Sequence, residues 1–230
     1  MPLISDKDRE YIKNLFLEKL KKDVKIIMFT QRESPLVVPG EECAYCKETR
    51  QILEELSQLS PKLKLEVHDF YGEKELAEKH GVDKIPATLL IPEGEETARV
   101  RFFGIPSGYE FGSLIEDIID ISQGTTSLSS ETKEKLAKLT SDIHIQVFVT
   151  PTCPYCPSAV RTAHRMAIES PHIRADMIEA IEFPHLANRY RVRGVPKTIA
   201  NDVVEIEGAL PEEIFVERVL SVVKKQSRAR

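Results

Sequence analysis

The sequence predicts an α/β protein made of two tandem units, each a central mixed β-sheet flanked by helices. Three observations support this fold class. The 230 residues exceed the ~150 of a typical domain. Short apolar runs typical of strands alternate with helical patterns, and each half ends in two strands and a helix. The two halves also repeat each other at a fixed spacing, which indicates two similar units.

Landmarks of the first half recur 110 residues later. Cys43 and Cys153 have this offset, and so do Pro86 and Pro196. A period of 110 residues is much longer than the ~20–50 of solenoid and propeller repeats, so it indicates a duplicated domain. A stretch rich in Ser, Thr and Gly separates the copies. The predicted boundaries are a first domain at 1–121, a linker at 122–129 and a second domain at 130–230.

In the first half, strands are predicted where β-branched and apolar residues form short runs that turn residues close. Helices are predicted where apolar residues recur every three to four positions. The helix after the first cysteine pair ends before Pro61, because proline cannot continue a helix. In chain order the predicted elements are helix 8–21, strand 25–30, helix 47–59, strand 63–70, helix 74–80, two strands after Pro86 and helix 109–121.

The second half repeats this order, and Ser130 is the predicted N-cap of its first helix. The copies differ at one connection: Thr30 and Thr150 are 120 residues apart, so the first half carries ten additional residues within 31–42. Prolines and a glycine there predict a loop beside the first cysteine pair. The predicted elements of this half are helix 131–139, strand 143–150, helix 158–169, strand 176–181, helix 184–190, two strands after Pro196 and helix 211–224.

The composition is that of a globular chain, with 41% hydrophobic and 30% charged residues. A net charge of −5 offers no general attraction for nucleic acid or for anionic lipid. No apolar run approaches the ~18 residues that a membrane span needs, and a charged N-terminus without an apolar leader predicts a cytoplasmic protein. The charged fraction, with three asparagines and six glutamines, fits a thermophile.

The four cysteines form two pairs, Cys43-Ala-Tyr-Cys46 and Cys153-Pro-Tyr-Cys156. Each pair lies between a predicted strand and a predicted helix. The unpaired N–H groups and the dipole of a helix N-terminus stabilise a thiolate on the first cysteine, which then attacks a disulfide. The second cysteine, about one turn later, can attack the resulting mixed disulfide. We therefore expect Cys43 and Cys153 to be nucleophiles and Cys46 and Cys156 to be resolving thiols.

Two other interpretations of these cysteines stay open. Four thiolates are also a tetrahedral zinc site, although 106 residues separate Cys46 from Cys153, against the ~15–20 of compact zinc ribbons. A redox-sensing or chaperone-like module could hold peptides without catalysis. The sequence contains no His cluster with metal-ligand spacing, no phosphate-binding glycine loop and no flavin motif, so we expect no metal and no bound cofactor.

Pro86 and Pro196 each follow the first cysteine of their half by 43 residues, after Ile85 or Val195 and two positions before a threonine. A CxxC at a helix start followed by this proline and a β-β-α end resembles the thioredoxin fold. Two such units, with Cys-Pro-Tyr-Cys-Pro in the second and the 103–111 stretch closing the first, are similar to the protein disulfide oxidoreductases of thermophilic archaea and bacteria, the two-domain glutaredoxin-like proteins.

The resemblance implies two tandem thioredoxin-like domains, whose edge strands join into one continuous sheet. It implies a cytosolic enzyme that reduces, forms or isomerises protein disulfides and exchanges electrons with a thioredoxin reductase-type flavoprotein. It further implies that both prolines are cis and face the dithiols, so that the backbone of Ile85 and Val195 can bind an extended substrate. Tyr45 and Tyr155, inside the motifs, are predicted to cover the disulfides at this substrate-binding surface.

The sequence departs from single-domain thioredoxins in lacking a tryptophan before the first cysteine and a buried acid on the strand, where Val147 stands instead. The base for the resolving thiols is therefore not identified. We expect Cys153 to be the more acidic thiol, because Glu41 and Glu42 precede Cys43. The second half is also less acidic: residues 1–120 carry 17 basic and 24 acidic groups, and residues 121–230 carry 15 and 13. Within that half, we expect the positive charges of Arg161 and Arg165 to favour the Cys153 thiolate. We also expect Arg165 and His164 to lie on the surface.

Overall fold

The structure is a computed structural model that describes residues 2–32 and 42–228, with side chains described as far as Val223. These residues form eight helices and eight strands. Most of the predicted loop at 31–42, including Glu41, lies outside the described residues. In chain order the elements are α1 (Asp6–Lys19), β1 (Val24–Thr30), α2 (Cys46–Ser57), β2 (Leu63–Asp69), α3 (Lys74–Lys79), β3 (Ala87–Pro92), β4 (Val100–Phe103), α4 (Tyr109–Gln123), α5 (Ser130–Ala137), β5 (Ile143–Val149), α6 (Cys156–Glu169), β6 (Ile173–Glu179), α7 (Pro184–Arg189), β7 (Lys197–Ala200), β8 (Val204–Glu207) and α8 (Glu212–Arg228).

The predicted fold class is confirmed, and so is the joining of the two units at their strands. All strands form one eight-stranded sheet in the order β2-β1-β3-β4-β6-β5-β7-β8. The seam is the parallel pair of β4 from the first unit and β6 from the second, with Val100 opposite Ala175. Because β3 and β7 are the antiparallel members of their units, β1, β4, β6 and β5 all point in one direction. Their carboxyl ends therefore meet at one edge of the sheet.

Helices cover both faces of the sheet. One apolar cluster packs α1, α2, α4, α5, α6 and α8 on one face, where Met28 and Phe102 point. The other cluster packs α3 and α7 on the opposite face, where Phe29 and Phe103 point. Neighbouring residues of a strand face opposite sides, which accounts for this division. The helices α2 and α6, which follow the two cysteine pairs, consequently lie on the same face.

Two of the predicted boundaries that differ from the structure have a clear physical reason. Strand β6 begins at Ile173, three residues before the predicted start at 176, because it pairs along its length with β5 and also with β4. The N-cap of α5 is Ser129, whose hydroxyl accepts a hydrogen bond from the Thr132 N–H, and not the predicted Ser130. In the described part of the chain no helix is long and apolar enough to cross a membrane.

A buried ion pair joins the units across the seam. The Arg101 guanidinium donates to both carboxylate oxygens of Asp176, each at 2.7 Å, and the His144 ring lies 2.6 Å from one of them. Arg101 also donates to the carbonyls of His80 and Gly81. Burial opposes ionisation of Asp176, but the charges of Arg101 and His144 outweigh it and hold its pKa well below the usual range.

Candidate active site

Both cysteine pairs lie at the same edge and on the same face of the sheet. They follow the carboxyl ends of β1 and β5, which four strand-to-strand steps separate. At ~4.8 Å a step, the two strand ends are roughly 19 Å apart. Each pair forms a disulfide within its own unit. We call Cys43, Cys46 and Pro86 the first site, and Cys153, Cys156 and Pro196 the second site.

In the first site, Cys46 is the first residue of α2 and is buried, whereas Cys43 is half-buried in the turn before the helix. The Cys43 N–H donates to the Gln31 side-chain carbonyl at 2.8 Å, and the Gln31 N–H donates to the Cys46 sulfur at 3.4 Å. Gln31, at the end of β1, therefore ties the cysteine turn to the sheet. Of the two carboxylates predicted to act on Cys43, Glu42 is exposed to solvent and Glu41 lies outside the described residues.

In the second site, Cys156 is the first residue of α6 and is fully buried, while Cys153 is 8% exposed. The Cys156 N–H donates to the Cys153 sulfur at 3.1 Å, and this sulfur lies 3.7 Å from the Val195 carbonyl oxygen. An N–H group at a helix start stabilises negative charge on such a sulfur once the disulfide is reduced. In both pairs the first cysteine is the more accessible, as attack on a protein substrate requires.

Both X-Pro peptide bonds are cis, as the resemblance implies. Pro86 and Pro196 are buried, and Ile85 and Val195 before them are half-buried. Each proline carbonyl accepts a hydrogen bond of 2.9 Å from a glycine N–H, that of Gly104 after β4 in the first unit and that of Gly208 after β8 in the second. The Val195 carbonyl beside Cys153 places the second proline turn against its disulfide.

Large apolar side chains are exposed along the edge that carries the two sites. Tyr45 and Tyr155 are the N-caps of α2 and α6, and Tyr109 opens α4 beside the second site. Tyr71 and Ile181 follow the ends of β2 and β6. These five residues, which we call the apolar rim, are between 43% and 70% exposed. Exposed apolar side chains near a site are typical of a surface that contacts another polypeptide.

A carboxyl group that the sequence analysis did not single out is buried near the second site. The N–H of Tyr109 donates to the carbonyl of Pro151, two residues before Cys153, at 3.1 Å. Gly108 approaches Pro151 so closely that a Cβ atom would lie 2.2 Å from this carbonyl oxygen. The next residue, Glu110, is buried between α4 of the first unit and α6 of the second.

Burial raises the pKa of Glu110, and the nearby Ser113 hydroxyl and the charge of Arg161 oppose this rise only in part. A buried carboxyl with a raised pKa is suited to proton transfer. One sequence signal could have revealed it. Glu110 falls on the helical stripe of Leu114, Ile118 and Ile121, where a charged residue among buried apolar ones is unexpected.

Two expectations about side chains of α6 are wrong. His164 is fully buried, not on the surface, and its Nδ1 atom lies 2.6 Å from an Asp117 carboxylate oxygen. Burial lowers its pKa to about 3, and the charge of Arg161 contributes. The arginines also do not supply free positive charge to the second site: Arg161 pairs with Glu116, Asp117 and Asp120 of α4, and Arg165 pairs with Glu116 and Asp120.

Comparison with known proteins agrees with this geometry. A family model described as a thioredoxin domain matches residues 143–221. The structure of a protein disulfide oxidoreductase from Aeropyrum pernix superposes with a TM-score of 0.85, at 29% identity, over 96% of this chain and 94% of that one. The structure of the alkylhydroperoxide reductase component AhpF from Enterococcus faecalis gives a TM-score of 0.83 at 25% identity, over 94% and 98% of the two chains.

Among curated proteins, the corresponding alkyl hydroperoxide reductase component of Staphylococcus aureus is 31% identical over 137 residues, 60% of this chain and 24% of that one. The chain thus spans about a quarter of the length of the curated relatives it matches. The thioredoxin match falls on the unit of the second site, and the structural matches extend over both units. The chain therefore has the fold of two thioredoxin-like units with one CxxC disulfide in each, and its second unit matches the thioredoxin domain model.

Proposed function

We propose that this protein is a thiol–disulfide oxidoreductase that reduces, forms or isomerises disulfides in other proteins. The observation that carries the proposal is that each unit places a CxxC disulfide at a helix start beside a cis X-Pro turn. The name of the similar Aeropyrum pernix protein, a protein disulfide oxidoreductase, supports the same activity.

The reaction proposed for the reduced second site has two steps. The Cys153 thiolate attacks one sulfur of a substrate disulfide; an S–S bond forms between them, and the other substrate sulfur leaves as a thiolate. The Cys156 thiolate then attacks the Cys153 sulfur, which closes the enzyme disulfide and releases the second substrate thiolate. Two electrons pass from the enzyme dithiol to the substrate. Cys43 and Cys46 take the same roles in the first site.

The second step needs a base, because Cys156 is fully buried and burial in apolar surroundings keeps a thiol protonated. We assign this role to Glu110, the carboxyl that the first unit buries against the helix that Cys156 opens. Two observations support the assignment: the pKa of Glu110 is raised, and the residue before it, Tyr109, donates a hydrogen bond to Pro151 near Cys153.

The substrates are proposed to be extended segments of protein chains. An extended segment can pair with the backbone of Ile85 or Val195 as an added strand, while the apolar rim contacts its side chains. The proposed electron partner is a thioredoxin reductase-type flavoprotein, and similarity to a component of a hydroperoxide reductase supports exchange with other redox proteins. A cytoplasmic location and the domain boundaries at 121 and 130 also remain proposals, which cell fractionation and limited proteolysis test.

The dithiothreitol-driven precipitation of insulin tests the activity. The wild type should accelerate precipitation, variants that retain one cysteine pair should be partly active, and the variant in which serine replaces all four cysteines should be inactive. Full activity of that last variant would contradict the proposal. A non-catalytic peptide-binding module would not accelerate the reaction at all. Zinc analysis of the reduced protein tests a structural metal site, which would need four thiolates from strand ends roughly 19 Å apart to converge.

A further inference from the structure

The glycines that bind the two proline carbonyls have different surroundings. A Cβ atom on Gly208, in the second unit, would meet no described residue within 4 Å, since β8 is an outer strand of the sheet. A Cβ atom on Gly104, in the first unit, would lie 2.6 Å from the Glu179 Cβ and 2.7 Å from a Glu182 carboxylate oxygen. Gly104 also has a φ of +91°, so both the close contacts and the backbone conformation exclude a side chain there. The second unit therefore packs directly against the turn that binds Pro86.

Two acids make this contact. Glu182 accepts a hydrogen bond of 2.6 Å from the N–H of Ile105, the residue after Gly104. Glu179, which is buried at the end of β6, accepts a hydrogen bond of 2.6 Å from the N–H of Glu182. The backbone of Glu182 is thus fixed by Glu179, and its carboxyl group in turn fixes Ile105.

A short series of contacts leads from these acids to the first site. Glu182 binds the Ile105 N–H, the peptide of Ile105 adjoins Gly104, and the Gly104 N–H binds the Pro86 carbonyl. The second site has the matching bond from Gly208 to Pro196, but Gly208 has no neighbour of this kind.

We propose that Glu182 is a positioning residue for the first site, supplied by the second unit, which holds the 104–105 backbone in place so that the Pro86 turn keeps the shape that binds substrate. The inference rests on the proposed function, since it assigns Glu182 to the substrate groove of that reaction. The inference predicts that the two sites differ. Substrate binding at the first site depends on Glu182 from the other unit, and substrate binding at the second site does not.

The test measures each site by itself. One parent chain has Cys153 and Cys156 replaced by serine, so that only the first site acts, and the other has Cys43 and Cys46 replaced. Glu182→Ala and Glu182→Gln are made in both parents. The kcat and KM for a fluorescent disulfide-linked peptide are measured with dithiothreitol as reductant.

In the first-site parent, Glu182→Ala should raise the KM for the peptide about fivefold, the value of one lost hydrogen bond, with kcat within about a factor of two. Glu182→Gln should restore the KM, because its amide oxygen can still accept from Ile105. In the second-site parent both variants should leave kcat and KM unchanged, which also shows that the chains are folded. Glu134→Ala, at an exposed acid on α5, is the matched control and should change neither site.

An unchanged KM in the first-site parent would overturn the inference, and so would an equal change at both sites, which indicates a general structural role. If Glu182→Ala does not fold, Glu182→Asp shortens the side chain by one methylene, and the same rise in KM confined to the first site is then expected. The proposed function fails separately: if neither parent chain turns over the peptide, the oxidoreductase activity is refuted before any Glu182 variant is compared.

Discussion

Replacing Glu110 by glutamine should slow the second site and at the same time stabilise the protein. Glutamine keeps the size of the side chain but cannot take a proton. Because Cys156 is fully buried, its thiol has no direct access to water, and its deprotonation depends on a neighbouring group. The effect should be confined to the second site, because Glu110 is buried beside His164 and Arg161 of α6, and the preceding residue, Tyr109, contacts Pro151 before Cys153.

A positioned general base contributes roughly 10²–10⁴-fold to a rate. We expect about the lower limit, a hundredfold slower release of the mixed disulfide at pH 7, since only the second of two steps needs the base. The loss should diminish as the pH rises above the pKa of the Cys156 thiol, because the thiolate then forms without help. The measurement is a single-turnover experiment in the chain with Cys43 and Cys46 replaced by serine, following the lifetime of the mixed disulfide on Cys153.

The stability of the same variant separates a lost base from a damaged fold. Burial raises the folded-state pKa of Glu110 above its ordinary 4.5, so its contribution to stability is full below that pH and is lost as the pH rises through the folded-state pKa. The permanently neutral Glu110→Gln variant should therefore unfold at a higher Tm than the wild type at pH 8 and at the same Tm at pH 4. An undiminished release rate refutes the role of Glu110 as base, and a lower Tm at pH 8 refutes the account of its burial.

Three further predictions concern the thiols and the seam. Iodoacetamide alkylation against pH, in chains that retain one pair, should give Cys153 a lower pKa than Cys43, because the Cys156 N–H points at its sulfur; an equal or higher pKa contradicts this. The Cys156→Ser variant should accumulate a mixed disulfide between Cys153 and its substrate, visible on a non-reducing gel, and alkylation of Cys156 ahead of Cys153 in the reduced protein would reverse the assigned roles. Asp176→Asn should lower the free energy of unfolding by about 3–5 kcal/mol, because it leaves the Arg101 charge buried without its partner. The Tm should fall by roughly 10 °C, and a fall under about 2 °C would mean that the ion pair adds little stability.

The features that sequence could predict are those written in local patterns and in the repeat. The strands, the helices after each CxxC, and the equal 43-residue spacing from Cys43 to Pro86 and from Cys153 to Pro196 needed only residues near each other in the chain. The shared offset then indicated that both units have the same fold. The boundary of β6 was missed because Asp176 interrupts an apolar run, and only the seam explains an ionised carboxylate inside a sheet.

What could not be predicted lies between the units. His164 is a polar residue and was therefore expected on the surface of α6, but α4 of the first unit covers this helix and supplies Asp117 as its partner. Glu182 likewise follows a strand, where a charged turn residue is ordinary, and its contact with Ile105 joins residues 77 positions apart. The repeat does not predict such contacts, because the first unit joins the second through β4 and the second joins the first through β6, and these strands are not equivalent in the two units.

The seam also explains why two copies of one fold need not act as two copies of one site. In the sheet, β4 of the first unit is covered by β6, whereas the matching strand of the second unit, β8, is left at the outer edge. Beside the first site, Ile105 therefore bonds to Glu182 of the second unit, whereas beside the second site Gly108 of the first unit contacts Pro151 and Glu110 lies against α6. Joining two copies of one fold along one edge thus gives two CxxC sites of similar geometry different neighbours, and the roles proposed for Glu182 and Glu110 follow from that difference.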